Sequence, residues 1–295
     1  MNFVLDFLTQ GFAYAFLAMG VYVSYKVLDY ADLTVEGSFP LGAAITAVCI
    51  INGINPFVAL FLAFISGGIV GAVTGLLHVK LDISSLLSGI LVMTAMYSIN
   101  LAVAGSANLS FIEFDNIFSL GRNFTTDRVM LKWITLLIIV VIVILMKLLL
   151  DWFLKTKLGF LLTITGDNPQ LVSSLGIDIG KMKIFGLSLS NAYSALSGAV
   201  VCQVLGYFDI NMNKGIVVIG LASVILGMSV FKSSKVLKAT TMVILGSIGY
   251  RFAISLALNM GLEPSNLNLI MATIFVIVLV ASGDKVKALI SKVKR

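Results

Sequence analysis

The residues able to do chemistry are few and scattered. His78 is the only histidine, and a lone imidazole makes neither a zinc site nor a proton relay without partners. Beside Lys80 it reads as an interfacial side chain. Cys49 and Cys202 fall inside apolar runs, which suits small buried hydrophobes better than a disulfide or a thiolate site. No Gly-x4-Gly-Lys-Ser/Thr cradle for phosphate occurs, so the chain is not itself a nucleotide hydrolase. Arg251, next to Tyr250, is a guanidinium in an apolar run. It either lines an outer vestibule and attracts a carboxylate or snorkels to the interface. Asn100, Asn191 and Gln203 suit interhelical hydrogen bonds. The 14 acidic residues all read as lying in loops or near the ends of apolar runs. No mid-span carboxylate of the kind that ion-coupled carriers keep is therefore expected. The pattern predicts no catalytic residue, no metal and no bound cofactor.

Composition says what must position these groups. Of 295 residues, 59% are apolar and 12% charged, and mean hydropathy is +1.06. A soluble domain carries roughly 25% charged residues, so this chain cannot cover a water-facing surface. A soluble enzyme and a nucleic-acid binder are excluded. The expected fold is all-α, a polytopic integral membrane protein. Runs near 4–25, 56–77, 86–104, 131–150, 184–205 and 237–258 are long enough to cross the hydrocarbon core. Shorter ones lie near 38–51, 215–230 and 269–281, making about nine membrane helices. With the N-terminus outside and strict alternation, the 20 Lys and Arg divide 15 inside to 5 outside, as the positive-inside rule requires. The C-terminus is then cytoplasmic, and the loop 105–130 is the place where a re-entrant segment could hide. No basic residue precedes the first run, which reads as a span and not a cleaved leader.

Two stretches resemble each other. Val27-Leu-Asp-Tyr-Ala-Asp32 is followed by Gly37-Ser-Phe-Pro40-Leu-Gly42-Ala-Ala44. Val204-Leu-Gly-Tyr-Phe-Asp209 is followed by Gly215-Ile-Val-Val-Ile-Gly220-Leu-Ala222. Val-Leu-x-Tyr-x-Asp and Gly-x4-Gly-x-Ala align with one inserted residue. Each stretch follows a long span and precedes a short one, on opposite sides of the membrane. Paired broken helices of opposite orientation mark an inverted-repeat transporter, because a break survives only inside protein or along a wet cavity. Asp32, Glu36, Gly37, Ser38, Pro40, Gly42, Asp209, Gly215, Gly220 and Arg251 are accordingly the candidate translocation path. Glycines permit the unusual backbone angles, and Pro40 is expected near the start of its helix, where a missing N–H costs little. Gly67, Gly71 and Gly75 form a ladder for close helix packing. The chain reads as one transmembrane domain: a first repeat over about 1–150, a cytoplasmic segment over 151–183, a second repeat over about 184–282 and a tail at 283–295.

The segment 151–183 contains a short punctuated helix. Asp167 or Asn168 caps it, Pro169 suits its first position, and Gly176 suits a left-handed stop with Ile177 as a clasp. Leu171, Val172 and Leu175 are expected to be exposed, either docking into a partner's groove or lying on the inner leaflet.

Leu158-Gly-Phe, Thr165-Gly166-Asp-Asn-Pro169, Leu175-Gly-Ile177 and Ile225-Leu-Gly227 together resemble the permease subunits of ABC importers for branched-chain amino acids, ribose and nucleosides. Ala31-Asp-Leu-Thr-Val-Glu-Gly-Ser-Phe-Pro-Leu-Gly-Ala43 looks most like permeases of tryptophan- and tyrosine-type systems. The resemblance runs over about 10–282. It implies a homodimer of permease chains, two cytosolic ATP-binding subunits that hold the ATP, and an extracytoplasmic solute-binding lipoprotein in a bacterial cell membrane. It also makes Gly166, Asp167, Asn168, Pro169, Leu171, Val172, Leu175, Gly176 and Ile177 the helix that couples to the ATPase. Relatives carry an Arg-Ala pair where this chain has Ile164-Thr165. The expected function is inward transport of a small solute, an amino acid of aromatic type. A stand-alone inverted-repeat carrier or channel, and a permease for a sugar or nucleoside, are the alternatives.

Overall fold

The computed structural model describes residues 2–119, 127–232, 236–261 and 266–282. Every apolar run folds as a helix, because lipid offers no partner to backbone N–H and C=O groups and a helix pairs them internally. The first span, Phe3–Val27, consists of α1 (Asn2–Ala13), α2 (Ala15–Val21) and a π-helical turn at Tyr22–Val27. After an irregular stretch come α3 (Val35–Ile51), α4 (Pro56–Lys80), α5 (Ser85–Ala104), strand β1 (Asn108–Ser110) and α6 (Arg128–Leu154). Two short helices follow, α7 (Lys157–Asp167) and α8 (Pro169–Ser174), then the long α9 (Ile179–Leu205). Strand β2 (Tyr207–Asp209) and a 3-10 turn at Ile210–Asn213 lead into α10 (Ile216–Val230), α11 (Ala239–Asn259) and α12 (Leu267–Ser282). Seven described segments are long and apolar enough to cross a bilayer, with two shorter apolar helices, Val35–Ile51 and Leu269–Val280. The protein is an all-α, multi-pass membrane protein, as its composition requires.

α9 is the central helix. Its apolar window is 78% buried, against 22% for the Val129–Leu154 span. The glycine ladder explains the close approach of α4. A methyl group on Gly67 would collide with Ala195 and the Asn191 carbonyl, on Gly71 with the Leu187 carbonyl, and on Gly75 with Ile184. Without side chains there, the two backbones pack directly, and Ser188 Oγ donates to the Gly68 carbonyl at 2.8 Å.

The first span and α9 run antiparallel. Ser197 Oγ donates to the Ala13 carbonyl, Gly20 rests on Ser190 and Ser194, and Gly186 rests on Leu28. Their successors exchange partners symmetrically: α3 and α4 pack on α9, while α10 packs on α2 and α11 on α1. α5 then covers α3 as α12 covers α10. The matched sequence stretches encode one turn twice. The aligned Asp29 and Gly206 both have positive φ, 51° and 79°. The aligned Asp32 and Asp209 each accept the N–H two residues ahead, from Thr34 at 2.9 Å and Asn211 at 2.7 Å.

The structure adds to or changes the expectations at several positions. Pro40 lies inside α3, not in its first turn, because the helix begins at Val35 and not near 38. Asp32 lies in the irregular stretch between the first span and α3, as expected of an acidic residue, yet it is buried. It is 8% exposed and meets Asn191, halfway along α9. Arg251 does not reach the interface; it is 7% exposed, its guanidinium 3.6 Å above the Tyr14 ring and 3.2 Å from Gln10 Oε1. In the described part of the loop 105–130, a strand is followed by a 3-10 turn at 117–119. The chain forms β1, antiparallel to β2 with Asn108 opposite Asp209. Residues 120–126 of that loop, and the expected tail at 283–295, lie outside the described residues.

Candidate functional site

The segment between α6 and α9 is held together by local caps. Thr156 Oγ1 accepts the Gly159 N–H at the start of α7. Asn168, not Asp167, caps α8: its Oδ1 accepts the Leu171 N–H at 3.1 Å, while Asp167 is the last residue of α7. Pro169 takes the first helical position. Gly176, at φ +73°, closes the helix with two backbone bonds, Gly176 N–H to Ser173 at 3.0 Å and Ile177 N–H to Val172 at 3.3 Å. This is the paired closure that a left-handed residue allows. Leu171 and Leu175 are 46% and 58% exposed and stand one turn apart. Val172 is fully buried, which corrects the expectation of three exposed apolar residues: two turns of helix leave one face for the protein, and α8 turns Val172 to it.

α7 rests on the break of the first span. A side chain on Gly166 would overlap the Val27 carbonyl oxygen and the Leu28 backbone. Gly186 of α9 is pressed against the side chains of Leu28 and Leu162. Three elements therefore meet at Leu28: the short helix pair, the π-helical end of the first span and the start of the central helix. π-helical turns inside α-helices concentrate at functional places, and Asp29 in the left-handed region is a strained position for a residue with a Cβ.

Beyond Leu28 the break is fastened by side chains. Asp32 Oδ2 accepts from Asn191 Nδ2 at 2.7 Å. Asn191 Oδ1 accepts from Ser38 Oγ at 2.8 Å, so one amide of α9 grips both the break and the first turns of α3. Thr34 and Thr74 hydroxyls meet at 2.8 Å. Tyr30 OH lies 2.9 Å from Ser88 Oγ, and its ring stands edge-on to His78 at 5.2 Å. His78 Nδ1 contacts the Ile83 carbonyl at 2.7 Å and its Nε2 lies 3.2 Å from Lys183 Nζ. These partners give Nδ1 the proton and leave Nε2 as acceptor. Glu36, in the first turn of α3, lies near the Val217 backbone N–H in the first turn of α10. A cavity of about 100 Å³ lies between, lined by Ser24, Tyr25, Tyr30, Asp32, Val217 and Leu221 among others.

The structure thus gathers Asp32, Glu36 and Ser38 of the candidate path and separates the others. Gly37 faces Met96, Gly42 faces the Ala195 backbone and Gly220 faces Val21, so each serves a helix contact. Gly215 is the left-handed residue before α10, and Asp209 sits on the small sheet with Asn108 Nδ2 at 3.4 Å. Arg251 belongs to a separate stack with Tyr14, whose ring lies 5.9 Å from Phe39. Sequence reasoning did not find Thr34, Thr74, Val27 or Leu28. Asn191, a polar residue amid apolar ones, was a usable signal. Among the described residues no group of three His, Cys, Asp or Glu could hold a metal.

A family model described as branched-chain amino acid transport system / permease component matches residues 3–280. The chain is 42% identical over 284 residues to a tyrosine transport system permease protein of Clostridioides difficile, covering 96% of this chain and 92% of that one. It is 25% identical over 201 residues to a probable branched-chain amino acid transport permease protein of Methanocaldococcus jannaschii, covering 63% and 61%. It is 23% identical over 234 residues to the ribose import permease protein of Escherichia coli K12, covering 77% and 69%. No solved structure gives a significant match. With its multi-pass helical body and the match over nearly its whole length, the chain belongs to the family of branched-chain amino acid transport system permease components.

Proposed function

We propose that this chain is the permease subunit of an ATP-driven importer, taking an amino acid, of aromatic type, inward as a homodimer. Two cytosolic ATP-binding subunits supply the energy, and an extracytoplasmic lipoprotein delivers the solute. The N-terminus is outside, the segment 151–183 and the C-terminus inside. The amino-acid reading rests on the similarity to the tyrosine permease. The observation that carries the ATP-driven reading is the contact chain in 151–183. α8 offers Leu171 and Leu175 outward, while α7, joined to it through Asn168, has Gly166 against the Val27 carbonyl. A partner that moves α8 thereby moves the break. Asp32, Asn191 and Ser38 act as the latch that holds the break shut, through the two hydrogen bonds that Asn191 makes to the break and to α3.

The test is reconstitution with the cognate ATPase and binding protein. The Leu171→Asp, Leu175→Asp double variant is expected to insert normally, to lose the ATPase on purification and to lose uptake. Uptake by the purified chain without any ATPase would overturn the reading in favour of a stand-alone carrier. If the binding protein held a sugar or nucleoside, the amino-acid part alone would fall.

A further inference from the structure

An apolar groove of about 410 Å³ opens on the outer surface of the bundle between α4 and α6. Leu60 and Phe64 of α4 form one wall, Met146 and Trp152 of α6 the other, and Leu189 and Leu196 of α9 the floor. An adjoining recess of about 410 Å³ shares Phe64 and Leu189 and runs toward Phe185. Phe153 and Phe185, with ring centroids 5.5 Å apart, stand between the two. The one hydroxyl in the groove is satisfied, since Tyr193 OH donates to the Met146 carbonyl at 2.9 Å. The lining therefore calls for hydrocarbon alone.

Its length and its mouth specify more. Along α6 the groove runs from Ile142 to Phe153, roughly 16 Å at 1.5 Å per residue, about half of the ~30 Å hydrocarbon core. That is the reach of one acyl chain within one leaflet. At the mouth, Trp152 is 68% exposed, as indole is at the level of lipid headgroups. Immediately beyond it come Lys155, at the end of α6, and Lys157, the first residue of α7, both exposed. Neither forms an ion pair with a carboxylate among the described residues. Phe160 of α7 is 63% exposed on the same short helix, keeping it near the apolar boundary. We propose that this groove is a binding site for an anionic phospholipid of the leaflet that α7 borders, with acyl chains against α9 and the phosphate between Lys155 and Lys157. A second copy of this chain is a poorer occupant, because a protein of net charge +6 would bring no surplus of anions to two unpaired lysines.

The chain itself carries the reporter. Trp133 and Trp152 are its only tryptophans, so Trp133→Phe leaves Trp152 alone at the mouth. The full chain is placed in phosphatidylcholine vesicles containing rising fractions of acyl-brominated phosphatidylglycerol or acyl-brominated phosphatidylcholine. Trp152 quenching is expected to half-saturate at an about fivefold lower fraction of the brominated phosphatidylglycerol. Lys155→Gln with Lys157→Gln should abolish that preference while the protein stays folded by circular dichroism. As a second measure, native mass spectrometry should find phosphatidylglycerol retained by the parent and lost from the double variant. Equal quenching by both lipids, or a preference that survives the lysine changes, overturns the proposal. Absence of quenching by either lipid also overturns it and identifies a protein surface, such as a second copy, as the cover.

Discussion

The Val27 carbonyl oxygen fills the space beside Gly166 that any side chain would need. The contact is backbone to backbone, so the first span and the short helix pair must shift together. Gly166→Val therefore pushes α7 off the break. The expected cost is about 1–3 kcal/mol, as for overpacking elsewhere, read as a lower unfolding temperature in detergent. On the proposed ATP-driven reading, reconstituted uptake should fall at least tenfold while ATP hydrolysis by the partner subunits continues. Gly176 gives the contrast. It has positive φ with open space around it, so Gly176→Asn, a residue that tolerates that conformation, should leave both readouts near the parent.

Asp32 and Asn191 are 159 residues apart in sequence and 2.7 Å apart in space. Asp32→Asn leaves one acceptor oxygen for the two donors that Asp32 satisfies, the Asn191 amide and the Thr34 N–H, and Asn191→Asp removes the donor. Each change alone should destabilise by about 1–3 kcal/mol, the cost of leaving a buried polar group unmatched. The double exchange restores one donor facing one acceptor and keeps Ser38 as a donor to residue 191, losing only the bond from Asn191 Nδ2 to the Leu187 carbonyl. It should recover at least half of the summed loss in thermal unfolding. Additive losses would mean that the two side chains act separately, and would remove the latch.

What could be read from the sequence follows from how local each cause is. The spans were legible because lipid forces every apolar run into a helix, whatever its neighbours. The α8 punctuation was legible because Asn168, Pro169 and Gly176 act within a few residues of themselves. The burial of Val172 was not, since two helical turns do not tell which face meets α9. Pro40 was misplaced for a similar reason: Asp32 binds the Thr34 N–H and sets the start of α3 earlier than hydropathy suggests. For Arg251 the choice lay between an outer vestibule and the membrane interface; its burial removes the second, because Tyr14 and Gln10 reach it from a helix more than two hundred residues away.

Among the described residues no carboxylate pairs with Arg251, and its Nε is buried without a hydrogen bond. The Tyr14 ring face therefore carries much of its stabilisation. Tyr14→Phe keeps that face and should cost little in thermal stability. Tyr14→Leu should cost about 2 kcal/mol, the value of a desolvated cation–π contact. Equal effects of the two variants would show that the hydroxyl, not the ring, matters.

Asp151 is the charged anchor between α6 and α11. Its carboxylate lies 2.9 Å from both Lys147 Nζ and Lys238 Nζ and accepts from Thr240 Oγ1 at 2.6 Å. The two lysines are not equivalent: the Lys147 side chain is 18% exposed and that of Lys238 is 50% exposed. When Asp151→Asn removes the negative charge, Lys238 can turn to water and Lys147 cannot. The loss should be about 3 kcal/mol, typical of a buried charge left without its partner, and should change little with added salt because buried pairs are weakly screened. Adding Lys147→Met removes the stranded charge and keeps a long apolar stem. That second change should return most of the lost stability in the same unfolding assay. If Lys238→Met rescued Asp151→Asn as well as Lys147→Met does, the assignment of the cost to Lys147 would be wrong.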